Sequence, residues 1–244
     1  MTLLRTTRDR GVTTLALDAP RTRNALSAPL VAELADALAD CARDPAVRAV
    51  VLTHTGGTFC AGADLTAPPD PDAFVALLRH VVEVPKPVVA RVDGHVRAGG
   101  LGLLGACDVV VVSERSDFAL TEVRIGLAPA VVSLTLLPRL DPRAAARYYL
   151  TGERFGASEA VRIGLATVAA ADTDEALRPV LDALRRASPQ GLAASKALVA
   201  ARVLETFERD ADALVRRSAS LFASAEAREG MTAFLERRDP AWVI

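Results

Sequence analysis

Cysteine and histidine are both scarce: each occurs three times in 244 residues. Cys41, Cys60 and Cys107 form no C-x-x-C pair, and an odd, sparse count predicts a reduced, cytoplasmic protein without structural disulfides. His54, His80 and His95 share no i,i+4 spacing with each other or with a cysteine, so no zinc ligand set is visible and no metal is expected. Lysine appears only as Lys86 and Lys196, which leaves arginine to supply nearly all the basic charge. The 29 basic residues balance 30 acidic ones, so the chain has no basic excess for following a nucleic-acid backbone. No stretch reaches the ~18 consecutive apolar residues of a membrane span. The start, Met1-Thr-Leu-Leu-Arg5, lacks the basic region and long apolar run of a secretory signal. The phosphate-binding order G-x-x-x-x-G-K-[ST] is absent, and so is the dinucleotide-binding G-x-G-x-x-G. Ser133 lacks the G-x-S-x-G elbow of a serine hydrolase.

What is present suits a large core: 51% of residues are hydrophobic. Residues 12–17 (VTTLAL) are β-branched and end at Asp18-Ala-Pro20, a strand followed by a turn. Ser27 precedes Pro29 and the periodic run Leu30, Val31, Leu34, Leu38, which predicts a capped amphipathic helix to about Arg43. Residues 48–53, 88–93 and 108–113 are short apolar runs between helices, the pattern of parallel α/β units. After Pro129 the chain reads as helical, with helices over 142–151, 157–163, 173–187 and most of 190–235. The expectation is an α/β core over 1–190 and a C-terminal helical region over 191–244. The long helices of that region either cover their own core or pack on another subunit.

Three segments carry candidate chemistry. Phe59-Cys-Ala-Gly-Ala-Asp-Leu65 is a run of small residues after a strand. It reads as a tight turn, or as backbone N–H groups exposed to an anion or a developing oxyanion. Ala98-Gly-Gly100 follows another strand and opens a helix over 99–106. That placement suits close helix–strand packing, and equally a set of free N–H donors at a helix N-terminus. Glu122 lies between a strand-like run and a Gly/Pro loop, beside Val123, Ile125 and Leu127. It reads as a salt bridge to Arg124 or an exposed loop charge, or as a carboxyl with a raised pKa able to act as acid or base.

Taken in order, these segments resemble the enoyl-CoA hydratase/isomerase, or crotonase, family. The elements that carry the resemblance are Arg23-Asn-Ala-Leu-Ser27, Phe59-Cys-Ala-Gly-Ala-Asp-Leu65, Asp93-Gly followed by Ala98-Gly-Gly100, Ala106-Cys-Asp108, and Thr121-Glu-Val-Arg-Ile-Gly-Leu with Pro129. Glu229-Gly-Met-Thr-Ala-Phe-Leu-Glu-Arg-Arg238 resembles the family's ending. The resemblance implies a β-β-α spiral core with a C-terminal helical trimerisation region, and a homo-oligomer, trimer or hexamer. It implies an acyl-CoA thioester as substrate, with coenzyme A entering as part of that substrate and no separate cofactor. Ala63 and Gly99 match the backbone donors of the oxyanion hole, and Ala25, Leu26, Ala61, Asp64 and Leu65 match positions lining the CoA channel.

The sequence also departs from the family. Two-carboxylate hydratases carry a glutamate just after the glycine run, and here that position is Gly102. The second glutamate matches Glu122. One carboxylate suffices to shuttle a proton between two carbons, which favours an isomerase. Yet Gly-Gly-Leu-Gly-Leu at 99–103, with the segment 121–130, is similar to a hydratase branch that also has glycine there. The leading expectation is an enoyl-CoA hydratase of fatty acid metabolism, using Glu122 as acid/base. An enoyl-CoA isomerase is the closest rival, and a weakly catalytic CoA-thioester-binding protein a third reading. Decarboxylase and thioester-hydrolase chemistries draw on the same hole. Val131-Val-Ser-Leu134 replaces the Gly/Ala-rich run common after the family's proline and should reshape the acyl pocket.

Overall fold

The first strand is one the sequence pattern hides. In a computed structural model of the chain, which describes residues 2–66 and 68–244, β1 (Leu4–Asp9) pairs antiparallel with β2 (Val12–Leu17). Only Leu4 of β1 is buried, so the strand has no apolar alternation to announce it. Arg10 and Gly11 close the hairpin with positive φ of 43° and 78°, the left-handed pair that such a tight turn needs.

From β2 the sheet continues in parallel through β3 (Ala49–His54), β5 (Val88–Val92), β7 (Val109–Ser113) and β10 (Val168–Ala170). The predicted runs at 12–17, 48–53, 88–93 and 108–113 are therefore strands of one sheet. β10 falls between the helices expected over 157–163 and 173–187, so the stretch after Pro129 is not helical throughout. Its three residues pair with β7 at Val111–Ser113 and are too few for periodicity to reveal.

A second, smaller sheet stands beside the first: β4 (Thr58–Cys60), β6 (His95–Arg97), β8 (Asp117–Ala119) and β9 (Phe155–Gly156). Each central strand of the large sheet leads into a short strand of the small one and then a helix. The turns are β3–β4–α2 (Pro71–Glu83), β5–β6–α3 (Gly99–Ala106), and β7–β8 followed by a 3₁₀ turn at Glu122–Ile125 and α4 (Ser133–Leu136). This is a β-β-α spiral. The chain leaving each of the small-sheet strands β4, β6 and β8 carries one of the three candidate segments.

Helices cover both faces of the large sheet. α7 (Thr173–Arg186) lays Leu177 against Val12, Val51, Val89 and Val111. The other face carries the main core, with Leu30, Leu34 and Leu38 of α1 (Ala28–Arg43) and Leu77, Leu78 and Val81 of α2. α5 (Pro142–Thr151) and α6 (Ala157–Arg162) follow α4, and α8 (Pro189–Phe222) and α9 (Ala225–Glu236) end the chain.

One buried ion pair ties α8 to this core. Lys196 Nζ lies 2.8 Å from Asp108 Oδ2 and donates to the carbonyls of Val81 at 2.8 Å and Lys86 at 3.1 Å. Asp108 Oδ2 also accepts from the Val88 N–H at 2.7 Å. Burial pushes the Lys196 pKa down, and Asp108 opposes that shift.

Candidate active site

Leu26 and Ala63 form an isolated parallel bridge. Leu26 donates to the Gly62 carbonyl at 2.8 Å and accepts from the Asp64 N–H at 3.0 Å. Alternate residues of an extended segment point their amides to opposite sides, so the Ala63 N–H faces away from Leu26. Gly99 is the first residue of α3, and its N–H is one that a helix leaves without an internal partner. Among the described residues, neither N–H donates to a protein acceptor.

The two loops touch. A Cβ on Gly62, whose φ is +94°, would stand 2.9 Å from the Ala98 methyl and 3.8 Å from the Gly99 nitrogen. Ala98 itself holds φ 46° and ψ −117°, a conformation that L side chains rarely adopt and that typically costs ~1–3 kcal/mol. It is pinned there by its N–H to Ala119 O at 3.1 Å and by Leu101 N–H to its own carbonyl at 2.9 Å. The strain turns the chain sharply enough for the Gly99 amide to open the helix beside Gly62. Any larger residue at Gly99 would have to push the buried Leu26 side chain aside, since a Cβ would meet Leu26 Cδ1 at 2.7 Å.

Asn24 sets the outer wall. Its Oδ1 accepts from the Ala19 N–H at 2.8 Å, and its Nδ2 donates to Thr55 O at 3.1 Å and Thr58 O at 2.8 Å. This buried side chain holds the segment carrying Ala25 and Leu26 against the loop carrying Ala61 to Leu65. Ala25, Ala61, Asp64 and Leu65 are half-buried, and Leu26 is buried. The structure thus brings together all five predicted channel positions with Ala63 and Gly99.

Glu122 opens the 3₁₀ turn that follows β8. Its Oε2 is shut off from solvent and has no hydrogen-bond partner among the described residues. Burial pushes its pKa up to about 7, against a smaller opposing effect of its own backbone N–H. A carboxyl poised there can both take and give a proton near neutral pH. It makes no salt bridge with Arg124, whose guanidinium turns to the Thr151 carbonyl. The turn is backed by α9 at backbone distance. A Cβ on Gly126 would lie 2.6 Å from the Glu226 carbonyl carbon, and one on Gly230 would lie 2.4 Å from that of Ile125.

Gly102, one turn into α3, faces Val132. A Cβ there would stand 2.7 Å from Val132 Cγ1 and 3.1 Å from its Cβ. The volume that a glutamate at 102 would enter is filled by valine, so Glu122 has no second carboxylate on this helix.

Other residues singled out by their sequence have plain structural roles. Asp70 caps α2 by accepting from the Asp72 N–H at 2.9 Å. Arg97 grips both oxygens of Asp117 at 2.9 and 3.0 Å, and His95 bonds the same carboxylate. Cys60 and Cys107 are buried, with burial pushing their thiols up to about 12, which leaves them inert. Arg238 pairs with Glu229 at 2.7 and 2.9 Å. Among the described residues no group of three His, Cys, Asp or Glu side chains is placed to hold a metal ion. No helix among them is long and apolar enough to cross a membrane.

One contact of the site carries no signal of its own in the sequence. The contact of α9 with the Glu122 turn was visible only as two glycines, Gly126 and Gly230, whose need to lack a side chain depends on the fold.

Comparison with known proteins places this arrangement. The chain matches the enoyl-CoA hydratase/isomerase family over residues 7–243. A carnitinyl-CoA dehydratase of Escherichia coli (strain K12) is 31% identical over 255 residues, covering 98% of this chain and 97% of its own. The solved structure of an enoyl-CoA hydratase from Mycobacterium avium is 55% identical, covers 100% of both chains and superposes with a TM-score of 0.93. A carnitinyl-CoA hydratase from the same species is 30% identical over 98% of both chains, with a TM-score of 0.88.

Proposed function

The chain belongs to the enoyl-CoA hydratase/isomerase family, and from that premise we propose that it adds water across the double bond of a 2-enoyl-CoA thioester, or removes it in reverse. The observation that carries this reading is Glu122: one buried carboxyl with a pKa of about 7, in a fold whose loops leave two amides free. The hydratases and dehydratases among its relatives support the same class of reaction.

In this reading the thioester oxygen accepts hydrogen bonds from the Ala63 and Gly99 N–H groups. Ionised Glu122 takes a proton from water as the water oxygen bonds to C3. The π electrons move toward the thioester, and the two amides stabilise the resulting oxyanion. Protonated Glu122 then gives its proton to C2. The hydroxyl has gone to C3 and the hydrogen to C2, so one water is added. Each donor of such a hole is worth about 10²–10³ in rate. Ala25, Leu26, Ala61, Asp64 and Leu65 line the channel for the CoA moiety, which is substrate rather than cofactor.

The loss of a carboxylate at Gly102 favours a second reading, an enoyl-CoA isomerase in which Glu122 alone moves a proton between C2 and C4. Ultraviolet absorbance of the conjugated thioester separates the two. Bleaching of 2-enoyl-CoA, with a 3-hydroxyacyl product confirmed by mass, supports hydration. Growth of the signal from 3-enoyl-CoA without added water supports isomerisation. Binding of acyl-CoA without either change would leave only a CoA-thioester-binding role.

The same reading makes the protein a cytoplasmic homo-oligomer, a trimer or a pair of trimers, with 191–244 as the assembling region. Exposed Leu137, Leu150, Leu198 and Val199 are apolar surface that such an assembly would cover. A monomeric mass by light scattering would remove it.

A further inference from the structure

Glu122 is held by its backbone rather than by its side chain. Its Oε2 has no partner among the described residues. Besides burial, what acts on the carboxyl is a bond with its own backbone N–H. The carboxyl therefore stands wherever the Glu122–Ile125 turn stands. That turn is a single 3₁₀ turn, an element of poor hydrogen-bond geometry. Its hydrogen bonds, from Arg124 N–H to Thr121 O and from Leu127 N–H to Glu122 O, both at 3.0 Å, set its shape but not its place. Val123 and Arg124 are exposed, whereas Ile125 and Gly126 are half-buried and meet α9.

The meeting is backbone on backbone, and it occurs in two places. A Cβ on Gly230 would lie 2.4, 2.5 and 2.6 Å from the carbonyl carbon, carbonyl oxygen and Cα of Ile125. One on Gly126 would lie 2.6 Å from the Glu226 carbonyl carbon and 2.7 Å from the Ala227 nitrogen. These are main-chain atoms, which cannot rotate away as a side chain can. A methyl added at Gly230 must push helix and turn apart by about 1 Å to restore ordinary contact. Of the two, α9 is the more firmly placed. Ser224 caps it by accepting from the Ala227 N–H at 3.0 Å, and Ala227 and Ala233 are buried beside Gly230. Glu229 takes the Arg238 guanidinium at 2.7 and 2.9 Å and the Ala241 N–H at 3.0 Å, which folds the chain after α9 back onto it.

We infer that α9 is a positioning element for the reaction: its backbone at Gly230 is the stop against which the Glu122 turn rests, and so fixes the carboxyl relative to the Ala63 and Gly99 amides. The inference rests on Glu122 being the acid/base, whether it serves hydration or isomerisation. Gly230 is a positioning residue, since it has no side chain to offer and acts only through the turn. Proton transfer is sensitive to such placement, and a displacement of about 1 Å can cost about 10²-fold in rate. The segment Glu229 to Arg238 thereby gains a part in catalysis: Gly230 sets the approach to the turn, and Glu229 ties down the end of the helix that makes it.

The test reads kcat, KM and the pH dependence of kcat/KM on the full chain, with 2-enoyl-CoA for hydration and 3-enoyl-CoA for isomerisation. Gly230→Ala should lower kcat about 10–100-fold, leave KM within about threefold and move the pH midpoint of kcat/KM, because Glu122 is displaced while the thioester's donors are not. Leu177→Ala, whose side chain packs on the large sheet, loses stability without pressing on the turn and should keep the wild-type kcat and midpoint. Ser224→Ala removes the cap of α9 beside the Glu226–Ala227 contact while adding no atom, and should give a smaller kcat loss of the same kind. It decides the matter if Gly230→Ala does not fold. Wild-type kcat and midpoint in Gly230→Ala, or in Ser224→Ala where it stands in, would overturn the inference alone. So would a raised KM with kcat kept, which assigns α9 to substrate binding, or an equal kcat loss in Leu177→Ala, which assigns it to general stability. Full activity of Glu122→Gln, or a wild type that turns over neither substrate, would overturn the reading of Glu122, and the inference with it.

Discussion

Val132 occupies the volume that a side chain on Gly102 would need: its Cγ1 lies 2.7 Å from the ideal Cβ position. The two residues are thirty positions apart in sequence and belong to different turns of the spiral, so neither can be understood without the other. Gly102→Glu alone should overpack this contact, destabilise the protein by about 1–3 kcal/mol and bring no gain in hydration. Combined with Val132→Gly it should fold with smaller loss and hydrate at least tenfold faster than wild type, because a second acid/base group enters the site. Denaturant melts and kcat for the three proteins check the coupling.

Glu122 sets the pH dependence. As the base it must be ionised, so kcat/KM should rise with pH and level off above about 7. Glu122→Gln should lower the rate by about 10²–10⁴ and remove the rise. The linkage to stability has the opposite sign. The carboxyl titrates near 4.5 when unfolded and near 7 when folded, so its contribution is greatest at low pH and is lost as pH climbs through that window. At pH 8, Glu122→Gln should therefore be more stable than wild type, by about 1–3 kcal/mol. Melts at pH 5 and pH 8 should show this advantage at the higher pH only.

Ala98 stores strain that glycine would release. Its φ of 46° is a position where a Cβ is unfavourable, and glycine adopts it freely. Ala98→Gly should raise stability by about 1 kcal/mol, after the loss of chain entropy that glycine brings, and leave kcat within a few-fold. A destabilised variant would mean that the methyl packed against Gly62 matters more than the backbone strain.

Lys196 and Asp108 should be separable by mutation. Lys196→Met leaves the Asp108 carboxylate buried without its cation and should cost about 3–5 kcal/mol. The double change with Asp108→Leu should recover part of that loss, since no uncompensated charge remains. A double-mutant cycle by urea unfolding checks it.

How much of this was legible in the sequence follows from what each feature depends on. The strands 12–17, 48–53, 88–93 and 108–113, and helices such as 142–151, were readable because apolar period and capping act within a few residues of the chain. The segments bearing Ala63, Gly99 and Glu122 were readable too, since small residues beside a strand and a lone carboxylate amid apolar neighbours are local patterns. β1 and β10 were not, because one is a solvated edge and the other three residues long; pairing with a neighbour makes them strands. The sequence also showed that Gly102 carries no carboxylate, but only the packing of Val132 showed that one there would be overpacked. Likewise, Gly126 and Gly230 are ordinary glycines until two elements far apart in the chain are folded against each other. Local chemistry therefore determined which groups this protein has available. Tertiary structure decided which of them share a site, because burial, which raises Glu122 to about 7, and contact distance, which closes position 102, arise only when distant segments pack together.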